Sequence, residues 1–199
     1  MEFLTGFGLA TAAGLNAYIP MLILGLLARF TDFVSLPPAW VWLENGWVLT
    51  ILAALLAVEV VADKIPALDS VNDVVQTVIR PTAGGIVFGS GTAAQTAAVS
   101  DPGAFARSGQ WVPVAVGVVV ALVVHLTKTT VRPAANVTTA GVAAPVLSTI
   151  EDIVSTGLAI VAIVVPLLVL VIVAAMVWAA IKLLRRRRRK TSTKTKPRS

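Results

Sequence analysis

Long stretches without a charged residue limit what this chain can fold into more than any other feature. About 20 apolar residues in a helix cross the hydrocarbon core of a bilayer. The charge-free windows are residues 3–28, 45–58, 81–100, 108–127, 133–150 and 153–181. Hydrophobic residues make up 57% of the chain and the mean hydropathy is +0.88. Charged residues make up only 13% of the chain, whereas soluble domains contain roughly 25%. We therefore expect an all-α integral membrane protein.

These windows predict a polytopic helical bundle with about six membrane segments. The segments are 3–29, 47–64, 81–100, 111–128, 133–150 and 153–182. The third and the fifth are rich in Gly, Ala, Ser and Thr, which suits close helix packing, and each either spans or re-enters the membrane. The predicted membrane domain covers residues 1–184, and a basic, disordered cytoplasmic tail follows over 185–199.

The net charge of +6 is concentrated in that tail. Nine of the 16 Lys and Arg residues lie in 185–199, which contains no acidic residue, so the remainder of the chain is slightly acidic. After an apolar span, such a tail indicates a cytoplasmic location and contact with anionic lipids, and it does not indicate nucleic-acid binding. We expect a multi-pass protein of the plasma membrane with both termini in the cytoplasm. Lys128 and Arg132 then lie at the inner side, and Glu151 and Asp152 at the outer side.

Similar residues recur 64 positions apart. This shift aligns Trp47 with Trp111 and Lys64 with Lys128. The pattern suggests parallel internal repeats, which are common in transporters but not confined to them. Chance similarity between small-residue segments is the alternative.

A short amphipathic pattern separates the second and third segments. Val71, Val74, Val75 and Val78 recur at helical spacing, and polar residues lie opposite them. The pattern predicts a helix over 65–80 that either lies flat at the inner surface or dips in to line a cavity. We expect Pro81 to end it.

Two stripes of ionisable residues occur within the predicted segments, where charge is costly and often functional. Glu59 and Asp63 are four residues apart and therefore share one helix face. His125, Lys128 and Arg132 form a basic stripe on the fourth segment. The two stripes either form salt bridges with each other or bind ligands. In the second case the acidic pair holds a proton or a cation, and the basic stripe binds an anion or a phosphate headgroup at the inner mouth.

Other polar residues complete the candidate substrate or ion path. Asn16, between Gly14 and Pro20, suggests a discontinuous first helix whose freed backbone groups line a cavity. Glu151 and Asp152 form either a cation-binding gate or a solvated helix boundary. The candidate path residues are Asn16, Glu59, Asp63, Lys64, Asp69, Asp73, Arg80, Lys128, Arg132, Asn136, Glu151 and Asp152.

The sequence offers little for catalysis. It contains no cysteine and one histidine, which excludes a thiolate nucleophile and a His-cluster metal centre. It also has no phosphate-binding loop or nucleophile motif. We therefore expect no enzyme, no metal and no cofactor. A homo-oligomer is compatible with the small bundle.

Several strings resemble the bacterial membrane family called domain of unknown function 4126. They are Gly14–Pro20, Val58–Val71, Arg80–Gly84, Lys128 with Arg132 and Asn136, and Ser148–Asp152. The resemblance covers roughly residues 5–170 and leaves out the basic tail. It implies a multi-pass membrane protein without an assigned activity.

The leading hypothesis is a transporter-like or channel-like protein that moves a small solute, an ion or a lipid headgroup. It rests on the two ionisable stripes of the second and fourth segments. The alternative is a non-transporting scaffold or assembly factor in which these charges only hold the helices together.

Overall fold

The described part of the protein is a bundle of α-helices. The computed structural model describes residues 1–92, 109, 111–139 and 143–194. Within these ranges there is no β-strand, and one 3₁₀ helix, Pro38–Glu44, precedes α3. The α-helices are α1 (Glu2–Leu15), α2 (Tyr18–Phe30), α3 (Gly46–Ala62), α4 (Pro66–Gly91), α5 (Trp111–Thr138), α6 (Ala143–Val164) and α7 (Pro166–Lys194).

The first predicted segment is broken in its middle, as the position of Asn16 indicated. α1 ends at Leu15, and Asn16 adopts an extended backbone conformation. The Asn16 side-chain oxygen accepts hydrogen bonds from the backbone N–H groups of Tyr18, at 3.0 Å, and Ile19, at 3.2 Å. These bonds supply partners for the first N–H groups of α2, which lack partners within the helix. The asparagine thus ends one helix and starts the next.

The predicted surface helix over 65–80 and the first part of the predicted third segment form one helix, α4, which ends at Gly91. Residues 93–100 of that segment lie outside the described part of the structure. Pro81 lies inside α4 and does not end it. A proline removes one backbone hydrogen bond from a helix interior. Here both halves of α4 are held by neighbours, the first through Arg80 to α3 and the second through Gly84 to α5. Packing therefore outweighs the local preference of the proline.

The last two predicted segments have the wrong boundaries. α5 continues past residue 128 to Thr138, and α6 begins at Ala143, so residues 133–150 do not form one helix. The predicted sixth segment starts inside α6 and crosses a break at Val165, next to the Pro166 expected to bend it. α7 then continues to Lys194, where a disordered tail was expected from residue 185. The proposed 64-residue repeat stays a prediction.

Glycines bring α1, α4 and α5 into backbone contact. A Cβ atom at Gly84 of α4 would meet Ala121 and the carbonyl oxygen of Gly117 on α5. A Cβ atom at Gly14 of α1 would meet Val124 and the carbonyl oxygen of Ala121. Small residues at such positions allow helix axes to approach closely. The three helices therefore form the tight centre of the bundle.

Polar and apolar residues are distributed in the reverse of the usual pattern for a soluble protein. On α4, Val74 and Val78 are more than 70% exposed, whereas Gln76 and Arg80 on the opposite face are buried. The same holds on α5, where Val119 and Val123 are exposed and His125 is buried. An apolar outer surface of this extent suits a lipid environment.

Two helices are long and apolar enough to cross a membrane. They are the stretches Trp111–Thr130 of α5 and Ala144–Val164 of α6. The 3₁₀ helix and α3, bent by 64° relative to each other, could together count as a third span. Among the described residues, the structure thus supports two to three candidate spans, and the six predicted segments are not confirmed.

Candidate functional site

Asp63, which immediately follows α3, is the centre of a buried group of charges. Its Oδ2 atom lies 3.2 Å from Arg132 Nη2, 3.4 Å from Lys128 Nζ and 3.8 Å from Arg80 Nη2. Its Oδ1 atom accepts a hydrogen bond of 2.6 Å from the Asn72 side chain. Both carboxylate oxygens of Asp63 are therefore occupied by donors.

Two further carboxylates flank this centre. Arg80 Nη2 lies 2.8 Å from Glu59 Oε1. On the other flank, Glu151 Oε2 lies 2.6 Å from Arg132 Nη2 and 3.0 Å from Lys128 Nζ. The predicted contact between the acidic and the basic stripe is thus present. We call the group of three acidic and three basic residues the charge cluster: Glu59, Asp63, Arg80, Lys128, Arg132 and Glu151.

The charge cluster is almost completely shielded from solvent. Five of its side chains are at most 3% exposed, and that of Glu151 is 16% exposed. Burying an isolated ion is very costly, so buried ions require partners of opposite charge. The equal number of acidic and basic groups meets this requirement when all six are ionised.

The break in the first segment faces the charge cluster. Arg80 Nη1 lies 3.4 Å from the carbonyl oxygen of Gly14, and Lys128 Nζ lies 3.4 Å from that of Leu15. Carbonyl groups in the last turn of a helix lack partners within the helix and form the negative end of its dipole. The end of α1 therefore contributes neutral acceptors to the two cations.

The predicted position of Glu151 and Asp152 is wrong. They were expected on the opposite side of the membrane from Lys128 and Arg132, yet Glu151 contacts both of these cations. Side chains on opposite sides of a core about 30 Å thick could not touch. The error follows from the helix boundaries, because α6 begins at Ala143 and carries Glu151 back alongside the end of α5.

Asp152 links α6 to the break in the first segment. The Asn16 side-chain amide donates a hydrogen bond of 3.0 Å to Asp152 Oδ1. The same Asn16 side chain caps α2 through its oxygen. One amide thus joins α2 to α6, and Asp152 lies at the helix break instead of on the far side of the membrane, where the sequence pattern placed it.

The remaining predicted residues lie in different surroundings. Lys64 donates a hydrogen bond of 3.1 Å to the carbonyl oxygen of Val60, in the preceding turn. Asp73 has a buried Oδ1 atom without a hydrogen-bond partner. The side chains of Asp69 and Asn136 lie outside the described part of the structure.

Sequence reasoning missed Tyr18 and Gln76 as members of the site. Gln76 is 2% exposed, and its Oε1 atom has no hydrogen-bond partner. Tyr18 of α2 forms a hydrogen bond with the Gln76 side chain and lies within electrostatic range of Glu59. The sequence could have indicated Gln76, because Gln76 and Arg80 are four residues apart and therefore share the polar face of α4.

His125 completes the basic stripe without carrying an ion pair. Its Nδ1 atom lies 3.4 Å from Arg80 Nη1, and its Nε2 atom lies 3.0 Å from the Thr77 hydroxyl. The side chain is fully buried. It therefore contacts Nη1 of the Arg80 guanidinium, whereas Glu59 binds Nη2.

An apolar outer surface, two to three candidate spans and ionisable residues gathered in the interior together define a helical protein of the membrane type. The chain belongs to the family described as domain of unknown function 4126, which matches residues 3–186. No curated protein and no solved structure matches the chain. The family match confirms the resemblance seen in the sequence and includes every residue of the charge cluster.

Proposed function

We propose that this protein transports a small solute or ion, and that the charge cluster together with the helix break at Asn16 is its binding and switching centre. One observation carries the proposal: the broken end of α1 supplies backbone acceptors to the same two cations, Arg80 and Lys128, that pair with the buried carboxylates. Transporters often place their substrate and ion sites at discontinuous helices of this kind.

The geometry of the ion pairs supports exchange of partners. Lys128 lies within 3.4 Å of both Asp63 and Glu151, and Arg132 lies within 3.2 Å of the same two carboxylates. Each cation can therefore lose one partner and keep another. A charged substrate entering the cluster would take over one of these contacts without leaving a buried charge unpaired, which is the costly outcome.

A non-transporting scaffold is the second candidate, and the charge balance of the cluster favours it. Three acidic and three basic groups already pair with one another, so no ligand is needed for neutrality. In this case the cluster holds α3, α4, α5 and α6 in register. Loss of pairing would then affect only stability and assembly with partner proteins.

The location proposed for the protein is the plasma membrane, with both termini cytoplasmic and the basic tail on anionic lipid. The nine bases of residues 185–199 support this orientation. Fusions of alkaline phosphatase and green fluorescent protein to either end test it. Fluorescence without phosphatase activity at both ends is the expected result, and active phosphatase at one end would contradict it.

Flux measurements in reconstituted vesicles test transport directly. The probes are a proton gradient followed by an internal pH dye, a potassium gradient followed by a potassium dye, and a fluorescent phospholipid followed by quenching at the outer leaflet. We expect at least one probe to move faster with the wild-type protein than in protein-free vesicles. Asp63→Asn should abolish the increase, whereas Glu2→Gln, at an exposed position, should retain it.

A charge swap separates the two candidates. The double variant Asp63→Lys with Lys128→Asp keeps one acidic and one basic group in the cluster. If the cluster binds a moving ion or solute, the swapped protein regains thermal stability relative to each single variant but not the flux. Equal movement of all three probes with the wild type, the variants and no protein would refute transport and favour the scaffold.

A further inference from the structure

Glu151 has the most exposed side chain of the charge cluster. Its side chain is 16% exposed, whereas those of the other five residues are at most 3% exposed. A single atom, Oε2, lies 2.6 Å from Arg132 Nη2 and 3.0 Å from Lys128 Nζ. One carboxylate oxygen of α6 therefore bridges two buried cations of α5 from the exposed edge of the cluster.

Both of these cations keep partners when Glu151 is taken away. Lys128 Nζ still lies 3.4 Å from Asp63 Oδ2 and 3.4 Å from the carbonyl oxygen of Leu15. Arg132 Nη2 still lies 3.2 Å from Asp63 Oδ2. Departure of Glu151 thus leaves three cations with two carboxylates. Because excess buried charge is costly, this arrangement requires one negative charge from elsewhere.

The sign of the displaceable group determines the sign of the ligand that replaces it. A positively charged ligand would have to replace Arg80, Lys128 or Arg132, whose side chains are at most 2% exposed. A negatively charged ligand in the place of Asp63 would have to break the contacts with all three cations. Replacement of Glu151 breaks two contacts, at the exposed edge. The cluster is therefore suited to an anion that exchanges with Glu151.

Only the side chain of Glu151 has to move, because α6 is tied to the first segment. Ser155 Oγ donates a hydrogen bond of 3.0 Å to the carbonyl oxygen of Ala12, and Asp152 accepts one of 3.0 Å from the Asn16 amide. These bonds hold the turn of α6 that carries Glu151. A glutamate side chain changes its position by rotation between staggered conformations. The two cations therefore become available without a movement of the helix.

We propose that the charge cluster binds a small, singly charged oxyanion, a carboxylate or a phosphodiester, and that Glu151 is an internal competitor for the same two cations. The oxyanion takes the place of the Glu151 carboxylate between Lys128 and Arg132, and the Glu151 side chain turns outward. Arginine N–H groups bind carboxylate and phosphate oxygens well, and lysine adds a point charge. The exchange keeps the numbers of positive and negative charges equal. The proposal rests on the proposed transport function, for which it names the substrate class.

Titration of the wild-type chain with sodium acetate and with sodium dimethyl phosphate tests the proposal. The full chain is studied in maltoside micelles, which carry no anionic group, by ¹³C NMR with glutamate-selective labelling. The chain has four glutamates, Glu2, Glu44, Glu59 and Glu151, so the Glu151 carboxyl signal is identified by its absence in Glu151→Gln. We expect this signal to move in a saturable way towards the position of the exposed Glu2 as either anion is added. The Glu59 signal should stay in place, and sodium chloride at the same concentrations should cause no such shift.

Lipid nanodiscs distinguish a soluble anion from a lipid headgroup. If the phosphodiester of a headgroup is the ligand, the Glu151 signal should already have the displaced position in nanodiscs of phosphatidylglycerol. If the ligand is a soluble anion, the signal should be the same in these nanodiscs and in micelles, and should respond to added anion in both. Either result supports the oxyanion site.

Removal of the internal competitor should strengthen anion binding. Glu151→Ala removes the carboxylate and leaves room for acetate, so the acetate concentration that gives half of the maximal rise in Tm should fall at least about tenfold, the effect of one close charge pair. Glu2→Gln should respond as the wild type does. Adding Lys128→Met to Glu151→Ala removes one of the two cations and should reverse the gain. If Glu151→Ala does not fold, the wild-type titration alone decides.

The outcomes separate this proposal from the transport proposal. A Glu151 signal that responds to neither anion, and that has the same position in micelles and in phosphatidylglycerol nanodiscs, would overturn the oxyanion site. An equal shift with sodium chloride would also overturn it, because ionic strength alone would then account for the shift. A saturable shift in a protein that moves neither the three probes nor radiolabelled dimethyl phosphate in vesicles would leave the site standing and refute transport. Flux of a probe together with an unresponsive Glu151 would refute the oxyanion site alone.

Discussion

Replacing Asp63 by Asn should destabilise the protein more than any other single change in the charge cluster. Oδ2 of Asp63 lies between 3.2 and 3.8 Å from three cations, and each such contact is worth about 4–5 kcal/mol before desolvation is counted, at an effective dielectric constant near 20. Desolvation offsets most of this attraction. Removing one partner from a buried ion pair costs about 3–5 kcal/mol, and because three cations lose their partner here we expect the upper end.

Thermal unfolding in detergent micelles, followed by circular dichroism, measures the effect. At roughly 2–4 °C per kcal/mol for a chain of this size, Asp63→Asn should lower Tm by about 10–20 °C. The matched control Glu2→Gln removes a carboxylate at an exposed position and should change Tm by less than about 2 °C. Adding Lys128→Met to Asp63→Asn restores equal numbers of acidic and basic groups, so the double variant should recover part of the loss.

The comparison of these three proteins can refute the reasoning. If Asp63→Asn unfolds within about 2 °C of Glu2→Gln, Asp63 is not the buried partner of three cations. If Lys128→Met adds its full cost to that of Asp63→Asn, the two residues are not energetically coupled.

Three further predictions follow from the packing of the helices. Gly117→Ala places a methyl group against the backbone of α4 and should lower the free energy of unfolding by about 1–3 kcal/mol. The control Gly157→Ala, with no atom within 4 Å of the new Cβ, should be neutral or stabilising. Equal effects of the two variants would contradict the close helix contact. Asn16→Ala removes the cap of α2 and the donor to the half-buried Asp152 carboxylate, so we expect a loss of about 1 kcal/mol or more in the free energy of unfolding. An unchanged Tm would argue against the break. Because the chain has no cysteine, a spin label can be attached at a single introduced cysteine. The label at Val78→Cys should be mobile and accessible to oxygen dissolved in lipid, and the label at Gln76→Cys should be immobile and protected. The reverse pattern would contradict the burial described for α4.

The parts of the site that could be predicted depend on spacing within one helix. Glu59 and Asp63 are four residues apart, and Lys128 and Arg132 have the same spacing, so each pair must share a face wherever its helix lies. The cost of unpaired charge in a membrane then makes contact between the two pairs a reasonable expectation. The break at Asn16 was also predictable, because an asparagine between Gly14 and Pro20 weakens the helix locally.

The errors arose where packing decides the outcome. Pro81 indicated a helix end, but the contacts made by Arg80 and Gly84 keep α4 continuous. The position of Glu151 depends on where α5 ends and α6 begins, and a charge-free window gives no information about that turn. Two buried oxygen atoms, Glu59 Oε2 and Gln76 Oε1, have no hydrogen-bond partner. Their surroundings depend on how the helices pack, which no local sequence pattern encodes.

The distances along the chain between partners in the charge cluster have a consequence for biosynthesis. Glu59 is 21 residues from Arg80, but Asp63 is 65 residues from Lys128 and 69 from Arg132. A nascent chain that has passed α4 therefore contains both acidic residues of the α3 end and only one of their three cations. Asp63, at the end of α3, acquires Lys128 and Arg132 as partners only once α5 has been made. These ion pairs therefore link the final packing of α3 to the arrival of α5.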